Sequence, residues 1–244
     1  MIRAVIFDMG GTLLRFVRPG TGSWREMEER GIRDLYRYFV DQGNPITEHE
    51  DDFVEVMFAR LAEGWEQSTG GHINLRAVDW IAAGAERHSL SLNEQALFDA
   101  AQAYARPIRE GVSVVPGAVE ALAELRQRDI RVGLISNTIW PGTLLLEDLL
   151  DLGLLQSIEH TIFSGDAGVW KPMPAIFERM LEALEVSAEQ AVFVGDNPKE
   201  DILGAQQLGM RTIWVRSQEF PLADVQPDAI IDDHTQLLQA LDRM

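Results

Sequence analysis

Three carboxylates and one lysine, placed in the loops beyond short apolar runs or at the helix start that follows, carry most of the chemical potential of this chain. Asp8 ends the apolar run of VIFDMGGTLL, Asp196 follows the run in FVGDNPKEDILGA, and Asp201 lies five residues further on. A carboxylate in the position of Asp8 can act as a nucleophile, as a metal ligand, or as both through its two oxygens. Gly10 and Gly11 let the backbone turn sharply there and direct N–H groups toward an anion. Asp196 and Asp201 beside a third carboxylate form an oxygen donor set that suits Mg²⁺. Without a cation the three would repel one another and raise each other's pKa. LISNT contributes Ser136 and Asn137, a hydroxyl and a backbone N–H able to bind a phosphoryl oxygen, and DAGVWKPMPAIF contributes Lys171, able to neutralise a nucleophile and a transferring group. Taken singly, each has a plain structural explanation: Asp8 caps a turn, Asp201 starts a helix where the dipole favours an acid, and Ser136 and Asn137 close an ordinary turn.

The elements that must position these residues are legible as short apolar runs bounded by turn residues. Such runs predict strands over 3–8, 131–136, 161–164, 191–195, 211–215 and 229–231. Helical spacing predicts helices over 118–128, 143–152, 174–184, 200–208 and 235–241. Strands alternating with helices imply a doubly wound α/β fold, a Rossmann-like parallel sheet with helices on both faces. Sites in such sheets form where loops leave the carboxyl ends of the strands, and every residue singled out above is placed there. Residues from about 18 to 112 break the alternation, with helical patterns around 24–40, 48–65, 75–87 and 93–105 and no clear strand. The expected organisation is therefore a core domain of residues 1–17 and 113–244, with an inserted helical domain, 18–112, placed to act as a lid.

Composition narrows the function classes. The 244 residues carry 39 Asp and Glu against 21 Lys and Arg, a net charge of -18. That surface repels phosphate backbones and anionic lipid headgroups, which argues against a nucleic-acid or membrane-surface protein. The absence of cysteine removes disulfides, thiolate metal sites and Cys nucleophiles. The N-terminal apolar run is too short for a signal peptide and no stretch nears the ~18 apolar residues of a membrane span, so a cytoplasmic protein is expected. Only two lysines occur, Lys171 and Lys199, which makes a lysine at a strand-to-helix loop hard to assign to surface solubility.

The four segments around Asp8, Ser136, Lys171 and Asp196, in this order and spacing, resemble the haloacid dehalogenase-like hydrolase superfamily over roughly residues 1–15 and 113–235. The resemblance implies that Asp8 is the nucleophile and a Mg²⁺ ligand, with Asp196, Asp201 and the Gly10 carbonyl completing the metal site. It implies that Gly11, Thr12, Ser136, Asn137 and Lys171 bind the phosphoryl group, Lys171 also steadying the reacting charge, and that the helical insert is a C1-type cap that sets the substrate. The implied cofactor is Mg²⁺ and the implied partner a small phosphorylated molecule, acted on by a monomer or homodimer.

One departure from the family pattern matters. Phosphatases of the family usually read DxDGT, the second Asp protonating the leaving group and then activating water, whereas this chain reads DMGGT with Gly10 at that position. Losing a general acid/base typically costs ~10² to 10⁴ in rate, or roughly 3 to 5 kcal/mol of barrier. Three readings stay open: a phosphatase, a haloacid dehalogenase forming an alkyl ester on Asp8, and a phosphate-binding regulatory protein with weakened turnover. Phosphonatases also lack the second Asp but need a cap lysine, and no lysine lies in 18–112. A dehalogenase needs an early Arg to receive halide, for which Arg15, Arg18 and Arg25 are the candidates. Trp140 and Trp170 flank the Ser136 and Lys171 segments and Trp24, Trp65 and Trp80 lie in the insert, so tryptophans can wall the site, although buried tryptophans usually serve packing. His49, His72, His88, His160 and His234 show no ligand spacing.

Overall fold

The computed structural model describes residues 1–16, 23–43, 46–71 and 73–244; the expected domain boundary at 17–18, Arg18 and His72 lie outside them. The chain order is β1 (Ala4–Phe7), β2 (Leu14–Phe16), α1 (Trp24–Asp41), α2 (Glu50–Thr69), α3 (Ala77–Glu86), α4 (Glu94–Arg109) and β3 (Val112–Val114). It continues with α5 (Ala118–Gln127), β4 (Arg131–Ser136), α6 (Gly142–Asp151), β5 (His160–Phe163), α7 (Ser164–Ala167) and α8 (Pro174–Ala183). The last part holds β6 (Ala191–Gly195), a π-helical turn over Pro198–Leu203, α9 (Gly204–Gln206), β7 (Arg211–Val215), β8 (Ala229–Ile231) and α10 (Leu237–Leu241).

Six strands form one sheet in the order β5-β4-β1-β6-β7-β8, every pair parallel. The period-2 alternation of the strands divides their side chains between two buried faces. Ala4, Ile6, Ile135 and Phe193 meet Phe177 and Met180 of α8 on one side, while Val5, Phe7, Leu134 and Val194 join Leu122, Leu144 and Leu237 on the other. Burial on both faces accounts for the nearly unbroken apolar runs that mark these strands in the sequence. The chain runs outward from β1 through β4 to β5, then crosses back to build β6, β7 and β8 on the opposite side. The reversal leaves a crevice outside the carboxyl ends of β1, β4 and β6, where such folds hold ligands.

Helices α1 to α4 lie between β2 and β3 in the chain and form where expected. Ser23 caps α1 by accepting the Glu26 N–H at 3.2 Å, and Asn93 caps α4 by accepting the Ala96 N–H at 2.9 Å. Met27, Glu28, Gly31, Ile32, Leu35 and Phe39 make the buried face of α1, at the spacing of one helical stripe. Two features differ from the sequence expectation. β2 and β3 pair antiparallel at the root of these helices, Leu14 opposite Val114 and Phe16 opposite Val112. Three-residue strands are too short to show alternation, and their pairing joins segments about a hundred residues apart. The helix expected over 200–208 is instead the π-helical turn followed by α9, because Asn197 accepts the N–H groups of Lys199 and Glu200 through its side chain and those of Asp201 and Ile202 through its carbonyl.

The segment joining α2 to α3 is tied to the sheet's loops. Asn74 donates to the Gly165 carbonyl at 2.9 Å and accepts from Trp170 Nε1 at 3.0 Å, and the Ala77 N–H donates to the Ile139 carbonyl at 2.7 Å. Among the described residues no helix is long and apolar enough to cross a membrane. Replacing Asn74 by Ala strands the buried Trp170 N–H and the Gly165 carbonyl. At about 1–3 kcal/mol for such unpaired groups, the melting temperature should fall by roughly 2–12 °C. An unchanged melting curve would show that this tie contributes nothing.

Candidate active site

Asp8 sits immediately beyond β1, its N–H held by the Val194 carbonyl of β6 at 2.9 Å. Asp196 follows β6, and the indole of Trp214 on β7 fixes its loop by donating to the Asp196 carbonyl at 2.7 Å. The π-helical turn carries Asp201 back toward the strand ends, where its Oδ2 accepts the Asn197 N–H at 2.9 Å. Carboxylate oxygens of Asp8, Asp196 and Asp201, all buried, lie within 4.8 Å of one another. Lys171, 1% exposed, projects between two of them, with Nζ 2.6 Å from Asp8 Oδ1 and 2.7 Å from Asp201 Oδ1. The ammonium also lies 5.4 Å from the ring centre of Phe193.

The electrostatics follow from this packing. Burial disfavours a charged Lys171, but Asp201 and Asp8 outweigh it and hold the ammonium well above the usual lysine range. Burial, reinforced by repulsion from Asp8 and Asp201, pushes Asp196 up to about 8. Burial and the neighbouring Asp8 push Asp201 up to about 7 against the pull of Lys171. Three carboxylates share one cation, and the surplus charge is relieved by holding protons.

Asn137 meets the expectation only in part. Its side chain is fully engaged: Nδ2 donates to the Lys171 carbonyl at 2.9 Å and to Glu200 Oε2 at 2.8 Å, while Oδ1 accepts the Lys171 N–H at 2.8 Å. The amide therefore positions the lysine backbone, leaving only the main chain of Asn137 for a ligand. Gly11 faces the cavity at φ +79°, yet its N–H is spent on the Leu14 carbonyl at 2.7 Å. A Cβ there would stand 2.3 Å from Asp196 Oδ2, so the glycine makes room for the carboxylate rather than offering a donor. Thr12 is fully buried and is not among the cavity-lining residues, which runs against a contact with substrate. Its carbonyl accepts from His234 Nε2 at 2.8 Å, and that ring packs edge-on against Phe7. Burial lowers the His234 pKa, so the neutral ring braces the Asp8 loop. His234 and Trp214 are supporting residues that sequence spacing did not reveal.

A cavity of about 560 Å³ opens above the carboxylates. Asp8, Gly10, Ser136, Lys171, Asp196 and Asp201 line its floor, and Phe16, Trp24, Phe58, Trp65, Trp140 and Phe220 supply most of its apolar wall. Trp24, Trp65 and Trp140 thus reach the cavity. Trp170 and Trp80 do not, serving instead to pack and to donate to Asn74 and the Met57 carbonyl. Gly10 has no side chain to offer, and a Cβ there would meet Phe16 Cε2 at 3.1 Å, so the aromatic ring stands close against this position. Arg15 lines the cavity, whereas Arg25 is bound to Glu29 and Glu55 and lies over the Phe58 ring. Glu28 is a further lining residue that motif spacing does not reveal; its one readable signal is an acid on the apolar stripe of α1.

The chain is similar in sequence and in fold to known proteins. The chain is 29% identical over 228 residues to the glyceraldehyde 3-phosphate phosphatase of Pyrococcus abyssi, covering 88% of this chain and 82% of that protein. A solved 2-haloacid dehalogenase from Pseudomonas syringae pv. Tomato is 26% identical and matches 100% of this chain and 99% of its own with a TM-score of 0.70. A HAD phosphatase structure from Thermococcus onnurineus, 22% identical, matches 98% of both chains with a TM-score of 0.66 and shows the fold alone. The family model of haloacid dehalogenase-like hydrolases matches residues 2–209, most of the chain, and on that extent the protein belongs to the haloacid dehalogenase-like hydrolase family.

Proposed function

We propose that this hydrolase is a Mg²⁺-dependent phosphatase of a small organic phosphate, working through an aspartyl-phosphate on Asp8. In this reading residues 18–112 form the C1-type cap over a core of 1–17 and 113–244. The observation that carries it is the charge count of the buried cluster, three carboxylates within 4.8 Å against one ammonium. Hard oxygen donors in surplus of their counter-charge fit a divalent cation of the Mg²⁺ class. Asp8, Asp196 and Asp201, with the Gly10 carbonyl, would hold it. When bound, the ion neutralises the surplus and stabilises charge on the phosphoryl group.

The residues then divide the work. Asp8 attacks phosphorus through the oxygen that Lys171 leaves free. Ser136 and the main-chain N–H of Asn137 bind phosphoryl oxygens, and Lys171 balances charge as the phosphoryl group transfers. Asn137 keeps Lys171 in place, and the aromatic wall accommodates a leaving group with apolar surface. The phosphatase name of the Pyrococcus abyssi relative supports the reading. The dehalogenase reading draws on Gly10, on Arg15 at the cavity and on the Pseudomonas syringae neighbour, but it gives no use to the paired Asp196 and Asp201.

Phosphate release from aryl and alkyl phosphates should require Mg²⁺ and fall on the order of 10³-fold or more in Asp8→Asn. Activity that survives Asp8→Asn sinks the nucleophile assignment, and metal-independent halide release from a 2-haloacid would promote the dehalogenase. A pH test addresses the cation. Asp196 and Asp201, at about 8 and about 7 against an ordinary 3.8, keep protons in the folded protein that the unfolded chain has lost. Metal-free stability from these groups is therefore full below about pH 4 and declines as pH rises toward about 8. Because Mg²⁺ competes with those protons, its increment in melting temperature should be larger at pH 8.5 than at pH 6. An increment independent of pH would remove these carboxyls from the metal site.

A further inference from the structure

Glu28 stands out among the groups not yet given a role. It lies on α1, 4% exposed, on the wall of the same cavity whose floor holds Asp8. No Lys, Arg or His pairs with it among the described residues, and Tyr104 Oη donates to its Oε2. Gly31, one turn further along α1, allows that contact, since a Cβ there would stand 2.5 Å from the Tyr104 carbonyl and hold the two helices apart. Tyr104 is itself wedged between the rings of Trp80 and Trp140. The carboxyl is thus fixed by a buried aromatic set rather than by a counter-ion, and burial pushes its pKa up to about 7, the Tyr104 bond opposing the rise. The other titratable groups facing the cavity are Asp8, Arg15, Lys171, Asp196, Glu200, Asp201 and Glu219.

We propose that Glu28 is the catalytic acid/base of this enzyme, protonating the departing alcohol oxygen and then deprotonating the attacking water, the work for which Gly10 has no side chain. The assignment rests on the phosphatase reading. In-line displacement fixes its direction: with Asp8 attacking from the floor, the leaving oxygen departs toward the cap-side wall. In the first step an Asp8 oxygen bonds to phosphorus, the bond from phosphorus to the ester oxygen breaks with its electron pair on that oxygen, and the Glu28 proton passes to it to give the alcohol. In the second, water attacks phosphorus, its proton returns to Glu28, and the bond from phosphorus to Asp8 breaks to regenerate the carboxylate and release inorganic phosphate. A carboxyl near neutrality in affinity can serve both steps at physiological pH. The wall of Phe16, Trp24, Phe58, Trp65 and Trp140 around it fits an alcohol of partly apolar or aromatic character.

The test is kcat/KM for wild type and Glu28→Gln on phosphate esters whose alcohols span a wide pKa range, from alkyl phosphates to 4-nitrophenyl phosphate, with Mg²⁺ present. For alkyl esters the variant should lose about 10²-fold, and the loss should be roughly tenfold smaller for 4-nitrophenyl phosphate, whose leaving group needs little protonation. Wild-type kcat/KM for alkyl esters should fall as pH rises through about 7, and Tyr104→Phe, which removes a bond favouring the ionised form, should move that limb to higher pH. Equal losses across the series, a rise in KM alone, or a limb unmoved in Tyr104→Phe would each overturn the proposal while leaving the phosphatase reading intact. A wild type that hydrolyses none of the esters would overturn both.

Discussion

A single buried ammonium shared between two carboxylates is the contact on which the rest of this site depends. Lys171 touches Asp8 and Asp201 at 2.6 and 2.7 Å, far from solvent. Charges in such a place are costly unless each is matched, and removing one partner of a buried pair typically costs about 3–5 kcal/mol. Much of the neighbouring structure is arranged to keep the match. Asn137 clamps the lysine main chain from both sides, the π-helical turn returns Asp201 to the strand ends, and Trp214 and His234 secure the loops that carry Asp196 and Asp8. The two lysines of the chain are thus unequal, one exposed at Lys199 and one at the centre of the site.

The match is incomplete, and the shortfall is where chemistry enters. Asp196 adds a third carboxylate that Lys171 does not contact, so the cluster holds protons or admits a cation. The same need for local positive charge answers the problem posed by a net charge of -18, since Lys171 places a cation at the cluster itself rather than on the surface. Elsewhere on the cavity lining a carboxyl stands without a counter-ion. Glu28 pairs with no cation among the described residues; burial favours its neutral form, against the hydrogen bond from Tyr104. One cavity therefore joins two kinds of carboxyl, a floor cluster packed around Lys171 and, in Glu28, a group held without a counter-ion.

What the sequence made legible was local and periodic. The inner strands β4, β1, β6 and β7 are buried almost throughout, so their apolar runs stand out, and the loops beyond the sheet strands put Asp8, Ser136, Lys171 and Asp196 in view at once. Features that depend on contacts across the chain were not visible. The β2–β3 ribbon pairs segments about a hundred residues apart, and the turn at 198–203 is set by Asn197 capping rather than by helical spacing. The engagement of the Asn137 amide, the seclusion of Thr12 and the packing of Trp170 are tertiary outcomes that residue type alone does not reveal. Glu28 was legible only as an acid on an apolar stripe, and its meaning came from the cavity it lines.

The same Asp8 can open two chemistries that differ in the atom water finally attacks. An aspartyl-phosphate is resolved at phosphorus, whereas an alkyl ester of Asp8 is resolved at the carboxyl carbon. Turnover in ¹⁸O-labelled water, followed by mass spectrometry of both the released phosphate and the peptide bearing Asp8, separates them most directly. The account predicts label in inorganic phosphate and an unlabelled Asp8 after many turnovers. Accumulation of ¹⁸O in the Asp8 carboxylate, with unlabelled phosphate, would contradict it.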